Sequence, residues 1–416
     1  MQRADWKALR KQLLRDWKVT DNRIFRMIVL FALALMAAVS LYAGAKNAFY
    51  YSQDFQWDAA KALVLGADPY ELSLNPEEAE AYPELVQFYR LFTDKGLKQK
   101  MEANQFPSLL MLLAPYTFLS PFAARIAWLF SNLVFTAGIA VLLKRTLLKE
   151  LSGFEFAVAM LLMIAGTPYR NQLGVGQHTL FSFFFFLLAV YFDGKECKGQ
   201  RIFLTLSLFV CFFKYTLTAP LALYFVYKKR YRELVVSILM HGVLTVAASF
   251  ILGKSVIYLL VQPLRVAMNL SSEGGLDIGA LTGGGVVSLA IGGVVGILLF
   301  ILSLKMPEGR DYILLPLLIL WSLIITYHRT YDFFVISAVS MLFTDGFFDS
   351  VGEKAYRCWL ISYGILLAAV YFGLRVFNEN TFSRIGVGMI YYAFTLALSY
   401  HAVKSLRQIK TEGKPL

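Results

Sequence analysis

Charged residues make up only 16% of this 416-residue chain, against 58% hydrophobic ones. Soluble globular domains carry about 25% charged and about 45–50% apolar residues. A chain of this length with so little charge cannot cover a surface that faces water on all sides. Cysteine is nearly absent as well: Cys197, Cys211 and Cys358 are odd in number and show no ligand spacing. They supply neither a disulfide framework nor a zinc site and read as small apolar packers. No internal repeat or low-complexity segment is evident.

What the chain has is long apolar blocks, such as 27–45, 234–253 and 286–304. About 20 residues of helix at 1.5 Å each match the roughly 30 Å hydrocarbon core of a bilayer. Only helices or closed barrels satisfy their backbone in lipid, and these runs are continuous rather than alternating. The reading is an all-α polytopic membrane protein. The first block follows a charged amphipathic stretch and is too long for the apolar region of a signal peptide, so it reads as a true span.

Charge then sets orientation. Residues 1–23 form a basic, amphipathic N-terminus, and the tail 404–416 carries Lys404, Arg407, Lys410 and Lys414. By the positive-inside rule both termini are cytoplasmic. The segment 46–105 differs, with ten acids against six bases. It is expected outside, as a large first extracytoplasmic loop of the transmembrane domain 24–403. Its 56–65 stretch has apolar Trp57, Ala60, Val64 and Leu65 at roughly helical spacing, which suits a helix lying on the membrane interface. The net charge of +12 is therefore a topology signal rather than a sign of nucleic-acid binding.

Twelve apolar blocks lie between residues 24 and 403. Strict alternation places the basic loops around Lys144-Arg145 and Lys195–Arg201 outside, against the rule. A layout in which 106–143 makes one broken crossing and 202–227 a hairpin of two short helices returns both loops to the cytoplasm. Lys214 then lies at the hairpin tip near the outer face; short helices that dip into protein rather than lipid are permitted. The glycine-rich stretch 274–285 reads as a mobile outer loop.

That layout gathers polar residues at one level. Asp54 and Asp58 follow the first span, Arg170, Gln177 and His178 lie between the fourth and fifth blocks, and Lys214 is at the tip. His328, Arg329, Tyr331 and Asp332 belong to the turn Tyr327-His-Arg-Thr-Tyr-Asp332. Ionisable groups inside membrane proteins are costly and mark functional cavities. A carboxylate, two cations and a histidine suit an anionic substrate and a proton transfer. Each residue also has a plainer reading: Asp54 and Asp58 as loop acids, Lys214 as a snorkelling lysine, Arg329 and Asp332 as a local pair. Two acids four residues apart without a third ligand make a poor metal site.

The run Asp54-Phe-Gln-Trp-Asp58, continued to Gly66-Ala-Asp-Pro69-Tyr70, resembles the first-loop signature of glycosyltransferase family 87. In that signature an acid after the first span precedes an amphipathic helix ending in Gly-x-x-Pro-Tyr. Pro168, Gly176-Gln177, Lys214 with the basic run Lys228-Lys-Arg-Tyr-Arg232, and the His328 turn resemble later elements of that family in the same order. The resemblance implies a GT-C type helical bundle. It implies transfer of a sugar, commonly mannose, from a polyprenyl-phosphate donor to an acceptor hydroxyl of a glycan or glycolipid. The setting would be the extracytoplasmic face of the cytoplasmic membrane. Asp54 matches the general base, and Lys214 and His328 match positions that hold the donor phosphate, with Arg329 beside them. Asp58, Arg170, Gln177, His178, Tyr331 and Asp332 are the remaining candidate substrate contacts. The chain departs from the family pattern at His178-Thr179, where asparagine is usual, and in the distance from Lys214 to Pro220. No cofactor or metal is implied. A secondary transporter or lipid flippase is the main alternative, though its paired, discontinuous repeats are not seen. A scaffold protein would have no use for such a cluster.

Overall fold

The computed structural model describes residues 22–93, 100–268, 275–373 and 381–411. Most of the amphipathic N-terminus and the last residues of the tail fall outside that range, as do Asp94, Lys95 and Lys98 of the first loop. Among the described residues there is no β-strand. By length and composition six helical stretches could cross a bilayer, or eight when each of two bent pairs counts as one span, and one of the six, Gln200–Tyr227, is folded back on itself. The protein is an all-α polytopic membrane protein.

Helix α1 (Arg23–Tyr50) starts at an Asn22 cap whose side chain accepts from the Ile24 and Phe25 amides. It is followed by the first loop, with α2 (Trp57–Val64), α3 (Pro69–Leu74) and α4 (Pro83–Thr93). The Gly-x-x-Pro-Tyr motif has a local logic. Gly66 takes φ 76° to end α2, Asp68 caps α3 through the Tyr70 and Glu71 amides, and Tyr70 donates to the Gln105 carbonyl.

Helix α2 was expected to lie on the membrane interface, with Trp57, Ala60, Val64 and Leu65 on one face. Instead it is the centre of a second core: residues 57–60 are buried, and only Val64 and Leu65 remain exposed. Trp57 stacks on Phe88 of α4 at 5.2 Å, and its indole donates to the Tyr116 carbonyl. The short helix α5 (Pro107–Leu113) and the 3₁₀ turns after it belong to this layer too. Residues 106–143 were expected to form one broken crossing. The crossing is made by α6 (Pro121–Arg145) alone, and the segment before it roofs the bundle.

Helices α7 (Gly153–Ala165) and α8 (Thr167–Val175) climb back, and α9 (Thr179–Asp193) turns away from α8 at 109°. Helical turns then run without interruption through α10 (Gln200–Cys211), a 3₁₀ turn at Phe212–Lys214 and α11 (Tyr215–Tyr227). Despite this continuity the two halves are a hairpin. Gln200 donates to the Asp193 carbonyl while Arg230, beyond the other end, pairs with the Asp193 carboxylate at 2.5 Å. A straight helix would separate these ends by about 40 Å at 1.5 Å per residue. The Lys214 amide meets Ser182 Oγ at 3.0 Å, which places the tip at the far end of α9.

Helix α12 (Tyr231–Leu252) rises beside α10, and α13 (Val256–Met268) reaches the first-loop layer through Tyr258, which donates to Asp68. Within the glycine-rich stretch, Asp277 caps a five-residue helix α14 (Ile278–Thr282), so the segment from residue 275 on is more than an open loop. Helices α15 (Gly285–Lys305) and α16 (Asp311–Ile325) follow.

The next pass, Thr330–Phe343, is 3₁₀ along all 14 residues, and every side chain from 331 to 343 is buried. At about 2.0 Å per residue it covers about 28 Å, nearly the hydrocarbon thickness, where an α-helix would cover about 21 Å. The narrower, more extended helical form lets a short, wholly buried segment reach from one end to the other. Helices α17 (Asp345–Val351), α18 (Glu353–Ala368) and α19 (Thr381–Thr411) complete the chain. Cys211 is buried as expected, whereas Cys197 and Cys358 are exposed.

Two ends of the bundle are thereby distinct. The loops at 144–150, 195–201, 228–232 and 305–310 gather at one, through pairs such as Lys228–Asp311, Arg201–Glu233 and Lys229–Glu308. Arg26 of α1 lies over Phe154, and His401 of α19 packs on Phe347, so both terminal helices end there. The opposite end carries the first-loop layer.

Candidate functional site

Four chain reversals meet at that opposite end: the turn after α1, the α8–α9 apex, the hairpin tip and the turn after α16. Asp54 sits in a 3₁₀ turn (Gln53–Phe55) between Ser52 and Gln56, both left-handed, at φ 39° and 62°. Non-glycine residues rarely adopt that conformation, and it persists only where the surroundings enforce it. The enforcing contacts can be traced. Ser52 Oγ donates to the Ala48 carbonyl and Gln56 Nε2 to the Glu102 carbonyl. Arg125, buried in α6, donates to the Tyr50 carbonyl. Phe55 stacks on Trp128 at 4.8 Å, and Trp128 in turn donates to the Gly176 carbonyl.

His178 belongs to this clamp. Its Nε2 lies 3.1 Å from the Phe55 carbonyl, an acceptor, so that nitrogen carries the proton. The side chain therefore holds the Asp54 turn, a more structural place than the substrate contact expected of it.

Gln177 is the hub. Its Nε2 reaches the Tyr331 hydroxyl at 3.1 Å and Asp54 Oδ2 at 3.5 Å, while its Oε1 accepts from Lys214 Nζ at 3.1 Å. Lys214 pairs with Asp332 Oδ1 at 2.9 Å and stands over the Tyr331 ring. Asp332 also accepts from Thr179 at that oxygen, and its Oδ2 meets His328 Nδ1 at 2.6 Å. Both oxygens of Asp332 are thus engaged by the protein, and its role is to fix Lys214 and His328 relative to one another. His328 Nε2 is buried with no hydrogen-bond partner among the described residues. Arg329 is exposed beside the cluster, its Nε donating to the Tyr327 hydroxyl.

Two expected members stand apart. Asp58 faces the first-loop core, where Tyr89 donates to its Oδ2 at 2.9 Å. Burial pushes its carboxyl up to about 6, against the lowering effect of the Tyr89 bond. The guanidinium of Arg170 is drawn onto its neighbour Asn171. Burial also raises the Asp54 carboxyl above the ordinary carboxylate value; Arg329 and Lys214 oppose the shift, and the Glu102 carboxylate adds to it.

Sequence reasoning missed Thr179, Trp128, Arg125, Glu102 and Asp277. Thr179 and Trp128 carry no charge, so nothing marks them in an apolar chain. Arg125 inside a long apolar block was a visible signal, since a buried cation there needs a partner. Asp277, 1% exposed, stands just before the short α14 as a cap. Among the described residues, no three His, Cys, Asp or Glu side chains converge as they would to hold a metal ion.

The fold and this cluster define a class: a polytopic helical membrane protein with a carboxylate, a lysine and a histidine joined at one end of its bundle. The sequence profile of glycosyltransferase family 87 matches residues 107–347, more than half of the chain. The chain belongs to that family and is a membrane glycosyltransferase. No curated protein sequence and no solved structure matches it. The matched stretch carries Gln177, Lys214, His328 and Asp332; Asp54 and the first-loop motif precede it.

Proposed function

We propose that the protein transfers a sugar from a polyprenyl-phosphate-sugar donor to an acceptor hydroxyl, with Asp54 as general base and Lys214, His328 and Arg329 holding the donor phosphate. The observation that carries this reading is the link through Gln177. It joins the half-buried carboxylate to the lysine–aspartate–histidine chain within one hydrogen-bonded unit.

In the proposed step the acceptor oxygen attacks the anomeric carbon as its proton passes to Asp54. The bond from that carbon to the phosphate oxygen breaks, and polyprenyl phosphate leaves with the bonding pair. A single displacement of this kind inverts the anomeric centre. A positioned base is worth about 10²–10⁴-fold. The leaving phosphate gathers charge where Lys214 Nζ and the buried, unpartnered Nε2 of His328 stand, and fixed donors in a partly dehydrated site act strongly there. Burial raises the Asp54 pKa above that of an ordinary carboxylate, which makes it a stronger base. Donor phosphate beside it adds negative charge and strengthens the base further.

Mannose is the first sugar to test, and a glycan or glycolipid is the expected acceptor. A GT-C type helical bundle is the arrangement this reading implies. By the positive-inside rule the basic end and both termini are cytoplasmic and the cluster extracytoplasmic, with the cytoplasmic membrane as the proposed setting. The test is transfer of radiolabelled sugar from polyprenyl-phosphate-mannose by wild type and Asp54→Asn. Loss of transfer in the variant, with donor binding intact, supports the assignment. Equal transfer by both removes Asp54 from the chemistry, and a retained anomeric configuration removes the single displacement.

A further inference from the structure

A cavity of about 550 Å³ lies at the basic end of the bundle, across the molecule from the Asp54 cluster. Its size falls within the roughly 300–1,000 Å³ of small-molecule sites. Five pieces of chain enclose it: the turn after α6, the end of α9, the end of α11, the start of α16 and the exit of the 3₁₀ pass. None of them contributes to the cluster described above.

The charges around it are unevenly satisfied. Every lining carboxylate is engaged: Asp311 by Lys228, Tyr224 and Tyr227, Asp193 by Arg230, and Glu150 by the Asp345 amide at 3.2 Å. Of the lining cations only Lys228 has a carboxylate partner. Arg145 and Lys149 are exposed with no hydrogen-bond or ion-pair partner among the described residues, and Lys195 has only the Tyr191 ring, at 5.0 Å. Thr344 Oγ1, also on the wall, is buried and without a partner. Leu147, Val190 and Met341 add an apolar lining.

We infer that this cavity is a binding site for a phosphate ester, and that an anionic lipid headgroup fills it. Phosphate oxygens accept from the free cations and from the Thr344 hydroxyl, while the apolar lining takes the glycerol end of the lipid. Basic pockets between helices at a membrane face are where anionic headgroups are held. The inference rests on the membrane placement and not on the transfer reaction, so its failure leaves the proposed chemistry untouched.

The test uses the full chain in detergent, with retained lipid read by native mass spectrometry against phosphatidylglycerol and phosphatidylcholine. Arg145→Gln/Lys149→Gln is compared with Lys198→Gln/Lys354→Gln, which removes the same charge from exposed positions outside the cavity. Wild type should prefer phosphatidylglycerol, the cavity variant should bind it about tenfold more weakly, and the control should match wild type. That pattern, with bound lipid resisting millimolar inorganic phosphate, supports the site and a lipid occupant. Displacement by inorganic phosphate supports the site and assigns it to a soluble phosphate compound. Equal binding by both double variants, or no preference in wild type, overturns the proposal.

Discussion

Replacing Asp58 with asparagine should stabilise the protein at neutral pH and leave sugar transfer intact. The carboxyl is 4% exposed, and its pKa stands at about 6 against an ordinary 3.8. A group whose pKa is higher in the folded state holds its proton more firmly there than in the unfolded chain. Its contribution is fully present below the unfolded pKa and is lost as pH rises through the folded one. The window runs from about 4 to about 6. Over it the change from 3.8 to about 6 corresponds to about 3 kcal/mol at 1.36 kcal/mol for each tenfold change in proton affinity. At neutral pH the ionised side chain is therefore a burden on the fold. Asparagine keeps an acceptor for the Tyr89 hydroxyl and removes the ionisation. Unfolding of the purified protein, followed from pH 4 to pH 8, should show the variant gaining on wild type as pH rises, by on the order of 2–3 kcal/mol. Transfer measured alongside should be within about threefold of wild type, because Asp58 faces the first-loop core. A variant less stable at pH 7.5 than at pH 4, relative to wild type, refutes the burial argument. One that folds but cannot transfer returns Asp58 to the site.

Three further outcomes follow from the cluster. The kcat of transfer should fall as pH drops through an apparent pKa above the ordinary carboxylate range, because Asp54 must be ionised to accept a proton; a profile flat down to pH 4 contradicts its role. Asp332→Asn and His328→Gln should each lower donor kcat/KM by about 10–100-fold, or on the order of 1.4–2.8 kcal/mol. Their double variant should be little worse than the weaker single one, whereas fully additive losses would show that Asp332 does not act through His328. Gly176→Ala should reduce transfer and stability together. A Cβ at φ 73° would be strained and would meet Ser52 and Trp128 at 3.3 Å, against the wall of the Asp54 turn. Normal transfer by that variant would show that the turn tolerates displacement.

Hydrophobic block length and loop charge made the architecture legible. The hairpin at 202–227 could be read because two basic loops had to share one side, and no single helix satisfies that. The first-loop layer was misread because a hydrophobic stripe on α2 cannot reveal what covers it. Its partners, Phe88 and Tyr116, lie 31 and 59 residues beyond Trp57 and pack from separate elements. The 3₁₀ pass was likewise hidden, since an apolar run looks the same in either helical form. Within the site, the titratable residues announced themselves by being rare in an apolar chain. Thr179 and Trp128 could not, although one holds Asp332 and the other anchors the Asp54 turn.

The Asp54 turn shows how the two parts of the sequence depend on each other. Left-handed backbone at Ser52 and Gln56 costs about 1–2 kcal/mol each, so this segment would not hold its shape unaided. What holds it comes largely from residues 107–347: Arg125 on the Tyr50 carbonyl, Trp128 against Phe55, and His178 on the Phe55 carbonyl. The same stretch supplies Lys214 and His328. The first loop contributes the carboxylate, and the matched stretch contributes the socket that receives it. On this view Trp128 and His178 are tied to the position of the base. Their replacement should lower kcat while donor binding, which uses the other side of Gln177, persists.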